Sequence, residues 1–192
     1  MYRNGLFITT RTKRENAALT ELNDLIVRQI GVRKNYLIEL ERHTCCILLL
    51  LTEDVPISRI VFDHTFRFIC RIDFLDRIYH LKDYAEFNKD ENEPPGTYKT
   101  TKRLAFLYNS IGKYINKECS KIASGSFKIN FNIRCSNVKK ESIFETIIKN
   151  TCNLPVDLTD PEHEIAVQCI KGYVGLGISK SNRRKNYSKI CK

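Results

Sequence analysis

No stretch of this 192-residue chain is apolar enough to cross a bilayer. The aliphatic run Ile47 to Leu51 covers five residues, against the ~20 that a membrane helix needs, so no membrane partner is expected. The N-terminus lacks an apolar core and a small-residue cleavage site, so no secretory signal is expected. The eight cysteines, Cys45, Cys46, Cys70, Cys119, Cys135, Cys152, Cys169 and Cys191, are therefore expected to be reduced thiols. None of them forms a C-x-x-C pair, and Cys135, Cys152, His163 and Cys169 are spaced too irregularly for a zinc site. Cys45, Cys70 and Cys169 fall in apolar strand patterns and read as small core residues.

Catalytic signatures are also missing. No G-x-x-x-x-G-K-[ST] phosphate loop occurs, and the only G-x-G, Gly175-Leu176-Gly177, sits inside a strand pattern, where glycine permits close backbone approach. Nothing resembles a backbone cradle for the pyrophosphate of acetyl-CoA. The histidines His43, His64, His80 and His163 are scattered, and His163, between Glu162 and Glu164 in a polar turn, reads as a solvated loop residue. No cofactor, metal or catalytic residue is expected.

Charge is present, and it is one-sided. Residues 1–98 hold 14 Lys and Arg against 15 Asp and Glu, net −1, whereas residues 99–192 hold 18 against 7, net +11. A basic half concentrates polyanions around it, and each phosphate contact releases condensed counterions. Binding of a nucleic acid is therefore expected mainly in residues 99–192.

The polar segment Glu86 to Thr101, with Pro94-Pro95-Gly96, divides an acidic stretch from a basic one and reads as an inter-domain connection. The expected organisation is a domain over 1–90, a linker over 91–100 and a second domain over 101–192. In the first, a strand at Gly5 to Arg11 precedes a helix carrying Leu19, Leu22, Ile26 and Ile30. A short helix is expected at Ile57 to His64. In the second, Leu104, Leu107, Ile111 and Ile115 predict a helix over Thr101 to Ile122. FKINFNI (Phe127 to Ile133) alternates with Phe127, Ile129, Phe131 and Ile133 on one face, a half-buried strand. Lys139 to Thr151 places Ile143, Phe144, Ile147 and Ile148 at helical spacing. The VDL run (Val156 to Leu158) leads into a Thr159-Asp160-Pro161 turn, and Ile165 to Ile170 and Tyr173 to Ile178 form a hairpin around Lys171-Gly172.

This order of strand, helix, VDL turn and hairpin resembles the second half of a THUMP domain, an RNA-binding module. Across nearly the whole chain the closest resemblance is to the stand-alone tRNA-binding adaptors of cytidine acetylation. The matching positions are Gly5 to Thr9, Thr52 to Pro56, Arg67 to Ile72, Ile170 to Lys171, Lys180 and Arg184 to Tyr187. Where that family continues with a proline and a cysteine after Arg67 to Ile72, this chain reads Asp73-Phe74-Leu75-Asp76-Arg77, so its domain connection is expected to differ.

The resemblance implies an α+β fold, a ferredoxin-like N-terminal domain followed by a THUMP domain. It implies a non-catalytic adaptor that presents tRNA, serine and leucine tRNAs in particular, to a separate RNA cytidine acetyltransferase for N4-acetylcytidine formation. The location implied is nuclear or cytoplasmic, and nucleolar through the transferase. Arg134, Lys171 and Lys180 match basic positions of the adaptor pattern. With Lys139, Lys140, Arg183, Arg184 and Lys185 they are the expected tRNA-binding residues, converging on one edge with Tyr173 or Tyr187 available for stacking. Two other readings stand beside this one: a tRNA-modifying enzyme subunit using thiolation-like cysteine chemistry at Cys135, and a general or ribosome-associated RNA-binding protein.

Overall fold

The computed structural model describes residues 4–30, 37–43, 45–51, 66–81, 98–122, 124–134 and 138–181. The expected helix at Ile57 to His64 and most of the connection at Glu86 to Thr101 lie outside them. Four layers stack in the order helix, sheet, sheet, helices.

The first sheet has strand order β2-β3-β1-β4. Its members are β1 (Asn4–Thr10), β2 (Leu37–His43), β3 (Cys46–Leu51) and β4 (Ile69–Leu75), with α1 (Glu15–Ile30) between the first two. Every neighbouring pair is antiparallel. Strand alternation gives β1 two buried faces. Leu6 and Ile8 meet Ala18, Leu22 and Ile26 of α1, while Phe7 joins Cys46, Leu48 and Leu50 against the second sheet. Two α1 carboxylates hold the connections in place. Glu15 accepts the Cys45 N–H at 2.8 Å, and Glu21 accepts the N–H groups of Arg67 and Phe68, both at 2.9 Å. Cys45, expected in the core, instead occupies the β2–β3 turn at φ 61°. Cys70 is half-buried, and among the described residues the core thiols are Cys46, Cys119 and Cys169.

The second sheet runs β5-β8-β7-β6: β5 (Arg77–His80), β6 (Phe127–Arg134), β7 (His163–Ile170) and β8 (Tyr173–Lys180). β6 and β7 are parallel, joined through α3 (Lys140–Lys149), and the other pairs are antiparallel. The sheet thus takes one strand from ahead of residue 90. One face is covered by α2 (Tyr98–Cys119) and α3, which bury Leu107, Ile111, Ile115, Ile143 and Ile147 onto Phe127, Ile165, Val167, Cys169, Val174 and Leu176. The amphipathic stripes expected of both helices are present. α2 starts at Tyr98, inside the expected connection. Phe144 and Ile148 are corrections: they are 43% and 39% exposed, because only the residues one position before each point down onto the sheet. Val156 and Leu158 are exposed as well. The turn after them forms as expected, with Asp157 accepting the N–H groups of Thr159 and Asp160, which hold its carboxyl below the ordinary value. His163 opens β7 opposite Lys180 and is half-buried, rather than lying in a solvated turn.

Two aspartates of the Asp73-Phe74-Leu75-Asp76-Arg77 segment tie the layers together. Asp76 accepts the Tyr114 hydroxyl of α2 and the Ile178 N–H of β8, each at 3.0 Å. Asp73 accepts Gln168 Nε2 at 2.8 Å and Arg71 Nε at 2.9 Å between the two sheets. Burial raises the pKa of Asp73 above its ordinary 3.8, outweighing the lowering by the Arg71 guanidinium. A raised native pKa means that the folded chain binds this proton more tightly than the unfolded one, so Asp73 makes stability fall as pH rises from 3.8 through the raised value. Asp73→Asn, which keeps an acceptor for Gln168, should lessen that fall. Urea midpoints from about pH 3 to about pH 6 measure it; an unchanged pH profile would contradict the assignment.

Candidate nucleic-acid interface

Parallel pairing puts the C-terminal ends of β6 and β7 together, with Arg134 opposite Ile170. The β7–β8 turn is Lys171-Gly172, and the Lys171 N–H donates to the Arg134 carbonyl at 3.0 Å. Lys171 takes φ 48° to make that turn. The chain leaving β6 enters α3, whose N-cap is Lys139 and whose first residue is Lys140. The Lys139 side chain makes no capping bond, so the first-turn N–H groups add their own positive end. Arg134, Lys139, Lys140 and Lys171 are therefore gathered at one end of the sheet, all four exposed. Lys140 Nζ sits 5.9 Å from the centre of the Phe131 ring. Beside the turn, Tyr173 stacks on His80 at 4.5 Å and 27°, and Leu81 N–H donates to the Gly172 carbonyl at 2.8 Å.

Lys180 is not part of this cluster. The hairpin carries β8 back, so Lys180 pairs with His163, at the far end of a strand of seven steps, roughly 23 Å from Tyr173 at the usual strand rise. The expectation that Arg134, Lys171 and Lys180 converge is corrected accordingly: two of the three meet. Arg183, Arg184, Lys185 and Tyr187 lie outside the described residues.

The cluster suits anions. It holds four cations on three elements, a helix N-terminus and a stacked aromatic pair, which together offer phosphate contacts and a face for a base. The His80–Tyr173 stack has no trace in local sequence, since it joins residues on strands far apart in the chain. Among the described residues no three His, Cys, Asp or Glu side chains gather as a metal site, and no helix is long and apolar enough to cross a membrane. Burial pushes the Cys169 thiol up to about 12 and that of Cys119 to about 11, with the neighbouring Cys152 contributing to the second. Neither is a thiolate near neutral pH. Cys135, the residue of the cysteine-chemistry reading, lies outside the described residues.

No protein-family profile and no curated protein matches the sequence. Solved structures do match the fold. Against PH1313 from Pyrococcus horikoshii the TM-score is 0.53 at 13% identity, over 92% of this chain and 54% of that one. A 4-thiouridine synthetase, solved in complex with RNA and bound ATP, gives 0.52 at 13% identity, over 92% of this chain and 41% of that one. TrmN from Thermus thermophilus gives 0.52 at 15% identity, over 91% and 45%. This chain thus spans about half or less of the length of each. These are THUMP-domain proteins, and the two-sheet α+β fold described above is the fold they contain.

Proposed function

We propose that this protein binds tRNA through the end of its second sheet and works as a non-catalytic adaptor, presenting the tRNA to a separate RNA cytidine acetyltransferase for N4-acetylcytidine formation. The observation that carries the reading is the meeting of Arg134, Lys139, Lys140 and Lys171 beside the open N-terminus of α3 and the His80–Tyr173 stack. The fold shared with a synthetase that was crystallised with RNA supports it. In this reading the first sheet, with α1 between its first two strands and the order β2-β3-β1-β4, is ferredoxin-like. The transferase brings acetyl-CoA and ATP, and the partners meet in the nucleus or cytoplasm.

The test is incubation with tRNA, ATP and labelled acetyl-CoA, without and with the transferase. Label is expected in tRNA only with the transferase, and more of it when this protein is added. Acetylation by this protein alone overturns the adaptor role, and tRNA that gains no label from its addition overturns the acetylation reading. The cysteine-chemistry reading predicts instead a thiolated nucleoside, visible by mass spectrometry of the digested tRNA.

A further inference from the structure

β6 ends its sheet, and its backbone groups divide between two sides. Ser126 and Arg134 turn their carbonyls toward β7, accepting from His163 and Lys171. Phe127 faces the other way: its N–H donates to the Pro155 carbonyl at 2.9 Å and its carbonyl accepts the Asp157 N–H at 3.0 Å. With the two-residue repeat of a strand, Ile129, Phe131 and Ile133 follow Phe127 and aim three N–H and three C=O groups outward. Among the described residues only the isolated bridge of Val156 to Phe127 pairs with that edge. An edge of this length that the described residues leave uncovered is a template for another strand.

The side chains around it specify the strand. α2 lies over β5 and β8, where Tyr79 and Tyr114 bond to Ser110 and Asp76, and Thr146, Lys149 and Asn150 of α3 line the groove facing α2. Ile143 and Ile147 point down. Phe144 and Ile148 therefore face away from α2, over the β6 edge, and form an exposed apolar roof above the half-buried Ile129, Phe131 and Ile133. The opposite face of β6 carries Lys128, Asn130, Asn132 and Arg134. Glu164 already binds Lys128 at 3.1 Å and Asn130 at 2.8 Å, which leaves the positive charge at the Arg134 end.

We propose that the outer edge of β6, roofed by Phe144 and Ile148, receives an extended strand of a partner protein that is apolar on one face and acidic on the other. A nucleic acid fits less well, because phosphates accept hydrogen bonds but cannot serve outward carbonyls, and they leave the roof wet. A second copy of this chain also fits less well. Antiparallel β6–β6 pairing about Phe131 sets Arg134 opposite Lys128, whose Glu164 partner is already engaged by Lys128 and Asn130, so neither copy offers Arg134 an acidic group.

The probe is a fluorescent peptide of about nine residues, alternating valine with glutamate and threonine, presented to the full chain. Binding should slow hydrogen exchange at the amides of Ile129, Phe131 and Ile133. Exchanging the peptide's glutamates for lysines should weaken it about tenfold or more, since the exchange replaces attraction with repulsion at the Arg134 end. The double variant Phe144→Ser, Ile148→Ser, both partly exposed, should lose affinity for the peptide by more than its fall in melting temperature accounts for while remaining folded at the assay temperature, and Phe131→Pro should remove an outward donor while the β7 ladder remains. No binding at millimolar peptide, equal binding of the lysine peptide, or the same protection produced by raising protein concentration alone or by an RNA oligonucleotide would each overturn the proposal.

Discussion

Gly177→Ala should destabilise the fold by about 3 kcal/mol, an overpacking cost at the upper end of the usual range. A Cβ at Gly177 meets the Phe74 carbonyl oxygen at 1.9 Å and its carbon at 3.0 Å. Both are backbone atoms of β4, so relief requires moving one sheet away from the other, and with it the Asp73–Gln168 and Asp76–Ile178 bonds between them. In a domain of this length the expected drop in melting temperature is roughly 6 to 12 °C. Two other glycines calibrate the result. At Gly175 the obstacle is the tip of Leu75, 2.4 Å away, which can rotate, so the cost should be smaller. At Gly172 the nearest atom is His80 Nε2 at 3.6 Å, ordinary contact, and Gly172→Ala should be close to neutral. Equal effects at all three would mean that the two sheets do not meet as described.

That glycine shows how far the sequence could be read. A G-x-G inside a strand pattern announces close backbone approach, yet says nothing of what approaches. The partner is Phe74, about a hundred residues earlier, and only the packing of two sheets brings it there. Local periodicity was enough for β6, α2, α3 and the β7–β8 hairpin, because each buries one face and the burial writes itself into every second or every third to fourth residue. It was insufficient at Phe144 and Ile148. Both continue an apolar stripe, but α3 is a single helix on an edge strand, and its outer flank has no element beside it among the described residues.

The basic site was half legible. Arg134 and Lys171 are distant in sequence but adjacent through a parallel pairing, while Lys180 shares a hairpin with Lys171 and lies at its opposite end. Spacing along a strand does not reveal which end of it a ligand meets; strand direction does. The whole-half charge count carried the same blindness, since it locates an excess without locating a surface. It also passed over Arg14 and Arg67 in the near-neutral half, which both lie near the Phe68 ring, 5.8 and 5.3 Å from its centre.

The second large effect is on RNA affinity, and its measurement bears most directly on the central claim. tRNA binding should be measured at several salt concentrations for the parent chain, for Arg134→Ala with Lys171→Ala, and for Lys180→Ala, with melting temperatures recorded for each. The double variant should lose about 1 to 4 kcal/mol of binding free energy, Arg134 contributing more where its planar fork grips a phosphate. Its dependence of log affinity on log salt should flatten by about 1.4 to 1.8, two phosphate contacts having been removed. Both side chains are exposed, so the melting temperature should stay within a degree or two of the parent. Lys180→Ala, at the far end of β8, should keep most of the parent affinity and slope. A double variant that binds tRNA like the parent, or a loss at Lys180 equal to the loss at Arg134 and Lys171, would contradict an RNA site at this end of the sheet.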